Sequence, residues 1–230
     1  MSACTPPSRK RAVPDRCALV ATERRRLVVL RHGRTSWNEQ RRFQGSADLP
    51  LDDTGHEQAA LAAEQIGRMQ PSILLTSDSV RARQTAEPLA EGTKLEMESD
   101  TRFSEADLGT WEGLTREEVR RRYPEEYAAW RHGIDLARGG GETYAQVAAR
   151  AVAALTEALP RLRPGELLVL VTHGGTAKAL IGAMLGLAPR DWRSIRSPAH
   201  GRWAVLEEVS FGWRLDEHNV RPRRRTRPHT

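Results

Sequence analysis

The sequence predicts an α/β fold, a three-layer sandwich in which a mostly parallel central sheet is flanked by helices. Short, wholly apolar, β-branched runs at residues 27–30 and 167–171 suit strands buried on both faces. They alternate with helical segments of about 10–17 residues, the pattern of crossover-linked parallel strands. Length agrees: 230 residues suit one domain or at most two small ones, and a chain of that size buries roughly 70% of its unfolded surface without covalent staples.

The elements follow in order. Residues 1–26 mix Pro, Ser, Arg and Lys without periodicity, as in a flexible basic extension. The domain proper, 27–216, opens with the strand at 27–30. Thr54 followed by Glu57 has the spacing of a capping box, and Ala59, Ala60, Ala63, Ile66 and Gly67 recur behind it at helical intervals. A strand at 72–76, a helix at 79–90 and a weaker strand at 96–98 come next. Residues 100–114, rich in turn formers and aromatics, read as a functional loop. Pro124 separates helices at 115–122 and 124–131, and residues 139–141, three glycines, make a turn before a long Ala/Val/Leu helix at 144–159. The strand at 167–171 leads into a helix that starts at Gly174. Runs at 203–206 and 213–215 pair as a late hairpin at the sheet edge, and 217–230 form a flexible Arg-rich tail.

Composition removes several classes of function. The formal charge is +6, but it belongs to the ends. Residues 1–26 carry seven Lys/Arg against Asp15 and Glu23, and 217–230 carry five Arg against Glu217, so 27–216 is net −3. Basic tails of this kind favour solubility, and nucleic acid is not the expected partner. Cys4 and Cys17 both precede the first strand, so no disulfide framework is available; a reducing, cytoplasmic setting fits. No stretch reaches the ~18–20 apolar residues of a membrane span, and no apolar segment follows the N-terminal charges to make a secretory signal. The late apolar strand at 203–206 could offer an edge for a homodimer.

In parallel sheets, ligands sit beyond the carboxyl ends of the strands. Two such ends carry chemistry. Arg31-His32-Gly33-Arg34-Thr35 follows the first strand, where a cationic pair would be costly as mere packing. Arginine is a planar fork for phosphate or carboxylate oxygens, and a neutral imidazole beside it can attack phosphorus. Gly33 allows a sharp turn and close approach to a ligand. Thr172-His173-Gly174-Gly175 follows the later strand and opens a helix, whose free N–H groups favour an anion. Arg81 opens another helix in SVRARQTA (79–86) and is a third cation for the same pocket, with Arg83 on the solvated side. A general acid is required as well, and Glu105, Asp107 and Glu112 are all candidates on residue type. No HExxH or CxxC spacing points to a metal, and no GxGxxG or GxxxxGK[ST] run points to a nucleotide.

Four motifs in the same order, LRHGRTSWN (30–38), SDSVRARQTA (77–86), FSEADLGTWEG (103–113) and THGG (172–175), resemble the histidine phosphatase superfamily, which includes the phosphoglycerate mutases. The likeness spans about 26–216 and implies a phosphoglycerate mutase-like fold. It implies that His32 is a nucleophile that becomes phosphohistidine, with Arg31, Arg81 and His173 in the phosphate pocket. Asn38 would support the nucleophile and substrate oxygens, and Gln44 and Gly45 would stand at the mouth of the site. Thr35 and Gly174 complete the substrate contacts. Among the acids, the resemblance selects Glu105. Neither metal nor cofactor is implied.

Mutases resembling this family carry a long insertion after the WEG-like motif, whereas only about 28 residues separate Gly113 from Gly141 here. The short form resembles the phosphatase branch, in which water competes for the phosphoenzyme. Hydrolysis of a small phosphorylated metabolite, a sugar phosphate or phosphoglycerate type, is therefore expected. The alternatives are mutase-type phosphoryl transfer, or a non-enzymatic binder of phosphate ligands or nucleic acid. WRLDEHN (213–219) resembles phosphatases acting on phosphoglycerate or glucosyl-phosphoglycerate. Trp37, Trp111, Arg116, Tyr123, Tyr127, Trp130 and His132 are the candidates to line or cover the cleft.

Overall fold

The computed structural model describes residues 24–222, and its frame is a six-stranded sheet. The strands are β1 (Arg26–Arg31), β2 (Ile73–Thr76), β3 (Met97–Ser99), β4 (Leu167–Thr172), β5 (Trp203–Val209) and β6 (Gly212–Val220), in the order β3-β2-β4-β1-β5-β6. β1 to β4 run parallel, while β5 pairs antiparallel with β1 and β6 antiparallel with β5. Every residue of β4, and Leu27 to Leu30 of β1, is buried, which accounts for their continuous apolar runs.

Alternation along these strands divides the core into two layers. Val28, Leu30, Leu74, Val169 and Val171 pack against α2 (Asp53–Gly67) and α3 (Val80–Thr93) through Ala62, Ile66, Ala86 and Leu89. Leu27, Val29, Leu75, Leu168 and Leu170 face α6 (Tyr144–Ala158) and α7 (Gly174–Met184) through Ala151, Leu155, Ala177 and Leu180. Each fully buried Val or Leu contributes roughly 1.5–3 kcal/mol. The small alanines let the helices approach the sheet closely. A third cluster, centred on Trp111 with Val119, Val147 and Trp192, holds the short helices α4 (Arg116–Arg122) and α5 (Pro124–Arg131) beside the sheet's carboxyl edge.

The predicted architecture is present, with local corrections. The N-cap of α2 is Asp52, whose carboxylate accepts from Gly55 N (2.8 Å). Thr54 lies inside that helix and its hydroxyl instead accepts from Arg34 Nη2 (3.1 Å), so Thr54 and Glu57 form no capping box. On the same helix Ala59, Ala63 and Ile66 are buried as the spacing predicts, while Ala60 is exposed and Ala62 takes its place in the core. α1 (Ser36–Glu39) was not anticipated; Thr35 and Asn38 close its capping box.

Both domain boundaries move outward. Arg24 and Arg25, assigned to the flexible extension, pair with Glu207 and Glu208 on β5, and Arg26 begins β1. Residues 217–220, assigned to the tail, finish β6. β5 is therefore covered by β6, so residues 203–206 offer no free edge for a dimer. The rest of the predicted basic extension and tail, 1–23 and 223–230, lies outside the described residues. Among the described residues, no helix is long and apolar enough to cross a membrane.

Candidate active site

β1 and β4 lie side by side and parallel, with Arg31 in register with Thr172, so their carboxyl ends bring His32 and His173 together. The two imidazole centroids are 5.2 Å apart. Arg81, on the first turn of α3, reaches the same point from the β2 side: its Nε donates to His173 Nδ1 (3.2 Å). Above them opens a cleft of about 760 Å³. Of the ten residues expected in the site, Arg31, His32, Asn38, Gln44, Gly45, Arg81, Glu105 and Gly174 line this cleft. Thr35 and His173 are buried behind it.

His32 is oriented by its own loop. Nδ1 lies 2.6 Å from Gly33 O, and a carbonyl only accepts, so the proton is on Nδ1 and Nε2 keeps its lone pair. Burial first, then the cost of a second positive charge beside His173, Arg81, Arg31 and His200, holds its pKa well below 6.5, so the ring is neutral. Gly33 answers a demand other than the expected ligand approach. A Cβ there would fall 2.4 Å from Gly55 O, so the loop can pack on α2 only without one.

His173 is also neutral. Its Nδ1 accepts from Arg81, so its Nε2 carries the proton and donates to Ser77 Oγ (2.8 Å). Burial first, then Arg81 and Arg31, push its pKa well below 6.5. Its two nitrogens are occupied, and the positive charge of the pocket comes from the guanidinium groups. Arg81 is fixed further by Nη1 to Ala47 O (2.7 Å) and Nη2 to Gly45 O (2.9 Å). Gly45 thus aims Arg81 through its carbonyl as well as lining the cleft. Arg31 donates from Nη1 to Pro198 O (3.1 Å), lies flat against Gly174, and keeps a buried Nε without a partner. Burial lowers the pKa of both arginines, and the charge of Glu105 opposes that shift in each.

Thr35 builds rather than binds. Its hydroxyl lies 2.9 Å from Asn38 Oδ1 and 3.0 Å from Gln44 Oε1, and Asn38 Nδ2 donates to the same Gln44 oxygen (3.3 Å). This buried knot fixes the two amides at the cleft wall. Of the three candidate acids, only Glu105 lines the cleft; Asp107 caps a turn at Gly109 N, and Glu112 accepts from Ser46. Glu105 sits over the N-terminus of α7, accepting from Gly175 N (2.9 Å), Thr176 N (3.1 Å) and Ala106 N (2.9 Å). The anion at that helix N-terminus is therefore the protein's own carboxylate, where the sequence suggested a ligand.

Several neighbours were missed. His200 lines the cleft with its ring 5.6 Å from that of His32, held there because Gly201 N donates to Arg31 O and His32 O. Burial, with Arg31 and Arg34, pushes its pKa down to about 2. Its signal was a further His-Gly pair, but no strand precedes it. Arg138, Tyr144 and Gly175 also line the cleft. Of the seven residues proposed to line or cover it, Arg116 and Trp130 do. Trp111 is fully buried, Trp37 packs over Gly113, Tyr123 and Tyr127 pack on the third cluster, and His132 is exposed.

Three imidazoles held neutral in the fold have a consequence for stability. Below about pH 6.5 the unfolded chain takes up protons that native His32, His173 and His200 refuse, so stability should fall as pH falls. Urea melts between about pH 7 and about pH 5 should show a declining midpoint. A midpoint that rose on acidification would contradict the burial of neutral rings.

Residues 27–221 match the family model for the histidine phosphatase superfamily (branch 1). A glucosyl-3-phosphoglycerate phosphatase of Mycobacterium tuberculosis is 39% identical over 211 residues, 85% of this chain and 95% of that protein. One from Mycolicibacterium vanbaalenii is 36% identical over 216 residues, again 85% and 95% of the two chains. The solved structure of a mycobacterial glucosyl-3-phosphoglycerate phosphatase in complex with VO3 superposes with a TM-score of 0.81 at 38% identity, covering 85% of this chain and 99% of the other.

Proposed function

The chain belongs to the histidine phosphatase superfamily and is a phosphomonoesterase for small phosphorylated metabolites, and we propose that it works without metal, through a phosphohistidine on His32. The observation that carries this reading is the convergence on one cleft floor of a neutral imidazole with a free Nε2 and two fixed guanidinium groups. In the first step Nε2 of His32 attacks phosphorus in line as the P–O bond to the leaving group breaks. The departing alkoxide needs a proton, and Glu105, the one of the three candidate acids that lines the cleft, is the group that delivers it. In the second step Glu105 takes a proton from water, which attacks the phosphohistidine and releases phosphate and neutral His32.

Loose phosphoryl transfer needs charge neutralisation and alignment more than covalent assistance. Arg31 and Arg81 supply the charge, His173 holds Arg81 from behind, and Asn38 and Gln44 contact the outer oxygens. The names of the relatives support a phosphoglycerate-type substrate, glucosyl-3-phosphoglycerate among them. Because such phosphoesters are charged and retained inside cells, we place the enzyme in the cytoplasm.

The test is a screen of phosphorylated metabolites that follows phosphate release and transferred phosphate together. Release from a carboxylated phosphoester is expected; transfer between hydroxyls without release would replace hydrolysis with mutase chemistry. Because the guanidinium groups neutralise the phosphoryl oxygens, EDTA treatment should leave the rate unchanged. A large loss restored by a divalent cation would overturn the metal-independent mechanism.

A further inference from the structure

Arg138 lines the cleft wall from the 3₁₀ turn Arg138–Gly140 and is 4% exposed. Its Nη1 donates to Tyr144 Oη (3.1 Å), and its guanidinium carbon lies 4.0 Å from the centre of the Tyr144 ring. Nε and Nη2 are buried and have no hydrogen-bond partner. The acids nearby are engaged elsewhere. Asp135 accepts from Tyr144 N and Ala145 N, Glu126 accepts from Gly139 N, and Glu142 pairs with Arg150. Lys178 Nζ lies 5.3 Å from the centre of the same Tyr144 ring.

A buried guanidinium whose Nε and Nη2 lack hydrogen-bond partners is costly to maintain. The edge left open, Nε–H beside Nη2–H, is the side of a guanidinium that grips a carboxylate with two parallel hydrogen bonds. One such fork balances one negative charge. Shielding from bulk water would strengthen that pair. Its position relative to the reacting groups follows from Gly175. A methyl group there would lie 2.4 Å from Glu105 Oε1 and 3.3 Å from Tyr144 Cε1, so the Glu105 carboxyl and the Tyr144 ring meet over one glycine. With phosphorus at His32 and the leaving oxygen at Glu105, the remainder of a substrate would run toward Tyr144 and Arg138.

We propose that Arg138, braced by Tyr144, is a specificity-determining residue that reads a carboxylate on the leaving-group side of the substrate. The cleft thereby prefers phosphorylated hydroxy acids to phosphorylated polyols. This rests on the phosphomonoesterase reading above.

The experiment compares kcat/KM for 3-phosphoglycerate and glycerol 3-phosphate, which differ in carboxylate against hydroxymethyl, using the full chain. The wild type should favour the acid by about 10- to 100-fold, the worth of one charge-assisted pair. Arg138→Gln should raise KM for the acid and bring the selectivity ratio toward one. Arg138→Lys, which keeps the charge and loses the fork, should restore part of that ratio. A wild type without preference overturns the proposal even if Arg138→Gln does not fold, and so does a folded Arg138→Gln whose ratio is unchanged. A wild type that hydrolyses no phosphoester would instead remove the phosphatase reading and this proposal with it.

Discussion

Replacing His32 with alanine should lower turnover of every phosphomonoester by on the order of 10⁴- to 10⁶-fold, the scale seen when a covalent nucleophile is removed. Phosphoenzyme should vanish with it. His32 is buried, and its Nδ1 proton already serves Gly33, so Nε2 is the free lone pair of the ring. His173 cannot substitute, because its nitrogens are taken by Arg81 and Ser77. His200 is the only other imidazole lining the cleft among the described residues, and its ring lies on the far side of a 5.6 Å centroid separation from His32. The measurement is quenched flow with labelled substrate, followed by alkaline work-up that preserves phosphohistidine. Retained turnover, or a phosphoenzyme in the alanine variant, would mean that another group attacks.

Much of this arrangement was legible in the sequence because parallel sheets leave a strong trace. A strand buried on both faces must be apolar throughout, so residues 27–30 and 167–171 stand out against a charged background. Polar residues at the ends of such strands are then conspicuous, and Arg31, His32 and His173 fall there. Their contact depends on β1 lying beside β4, a pairing that skips two strands in chain order. Strand-end position suggested that neighbourhood; the register of Arg31 with Thr172 realises it.

What escaped had weaker or misleading local signals. β6 exposes one face and needs apolar side chains only on the other, so its charged second half, through Glu217, looked like the start of a tail. Thr54 and Glu57 have the spacing of a cap, but the chain enters α2 two residues earlier, where Asp52 is the stronger acceptor. His200 and Arg138 reach the cleft from loops without periodicity, and such segments carry no positional information until the fold places them. The glycines opening α7 did signal an anion site; nothing local revealed that Glu105 would fill it from 70 residues away.

That placement of Glu105 makes its amide variant the most discriminating mutation. Glu105→Gln should reduce kcat/KM by about 10²- to 10⁴-fold for a metabolite whose leaving group is an alkoxide, the range of general acid catalysis. For p-nitrophenyl phosphate, whose phenolate departs without a proton, kcat/KM should change little. This constant reports only the steps through the first irreversible one, so it isolates phosphorylation of His32. Attack of water on the phosphohistidine still lacks its base, and p-nitrophenol should therefore appear as a burst of about one equivalent before a slow steady state. Part of any loss could come from the start of α7, where a glutamine NH₂ would face the N–H of Gly175 or Thr176 in place of an acceptor oxygen. A structural disturbance of that kind would slow both substrates alike and lower the melting temperature. An equal fall in kcat/KM for the two esters with an unchanged melting temperature would remove Glu105 from the proton transfer altogether.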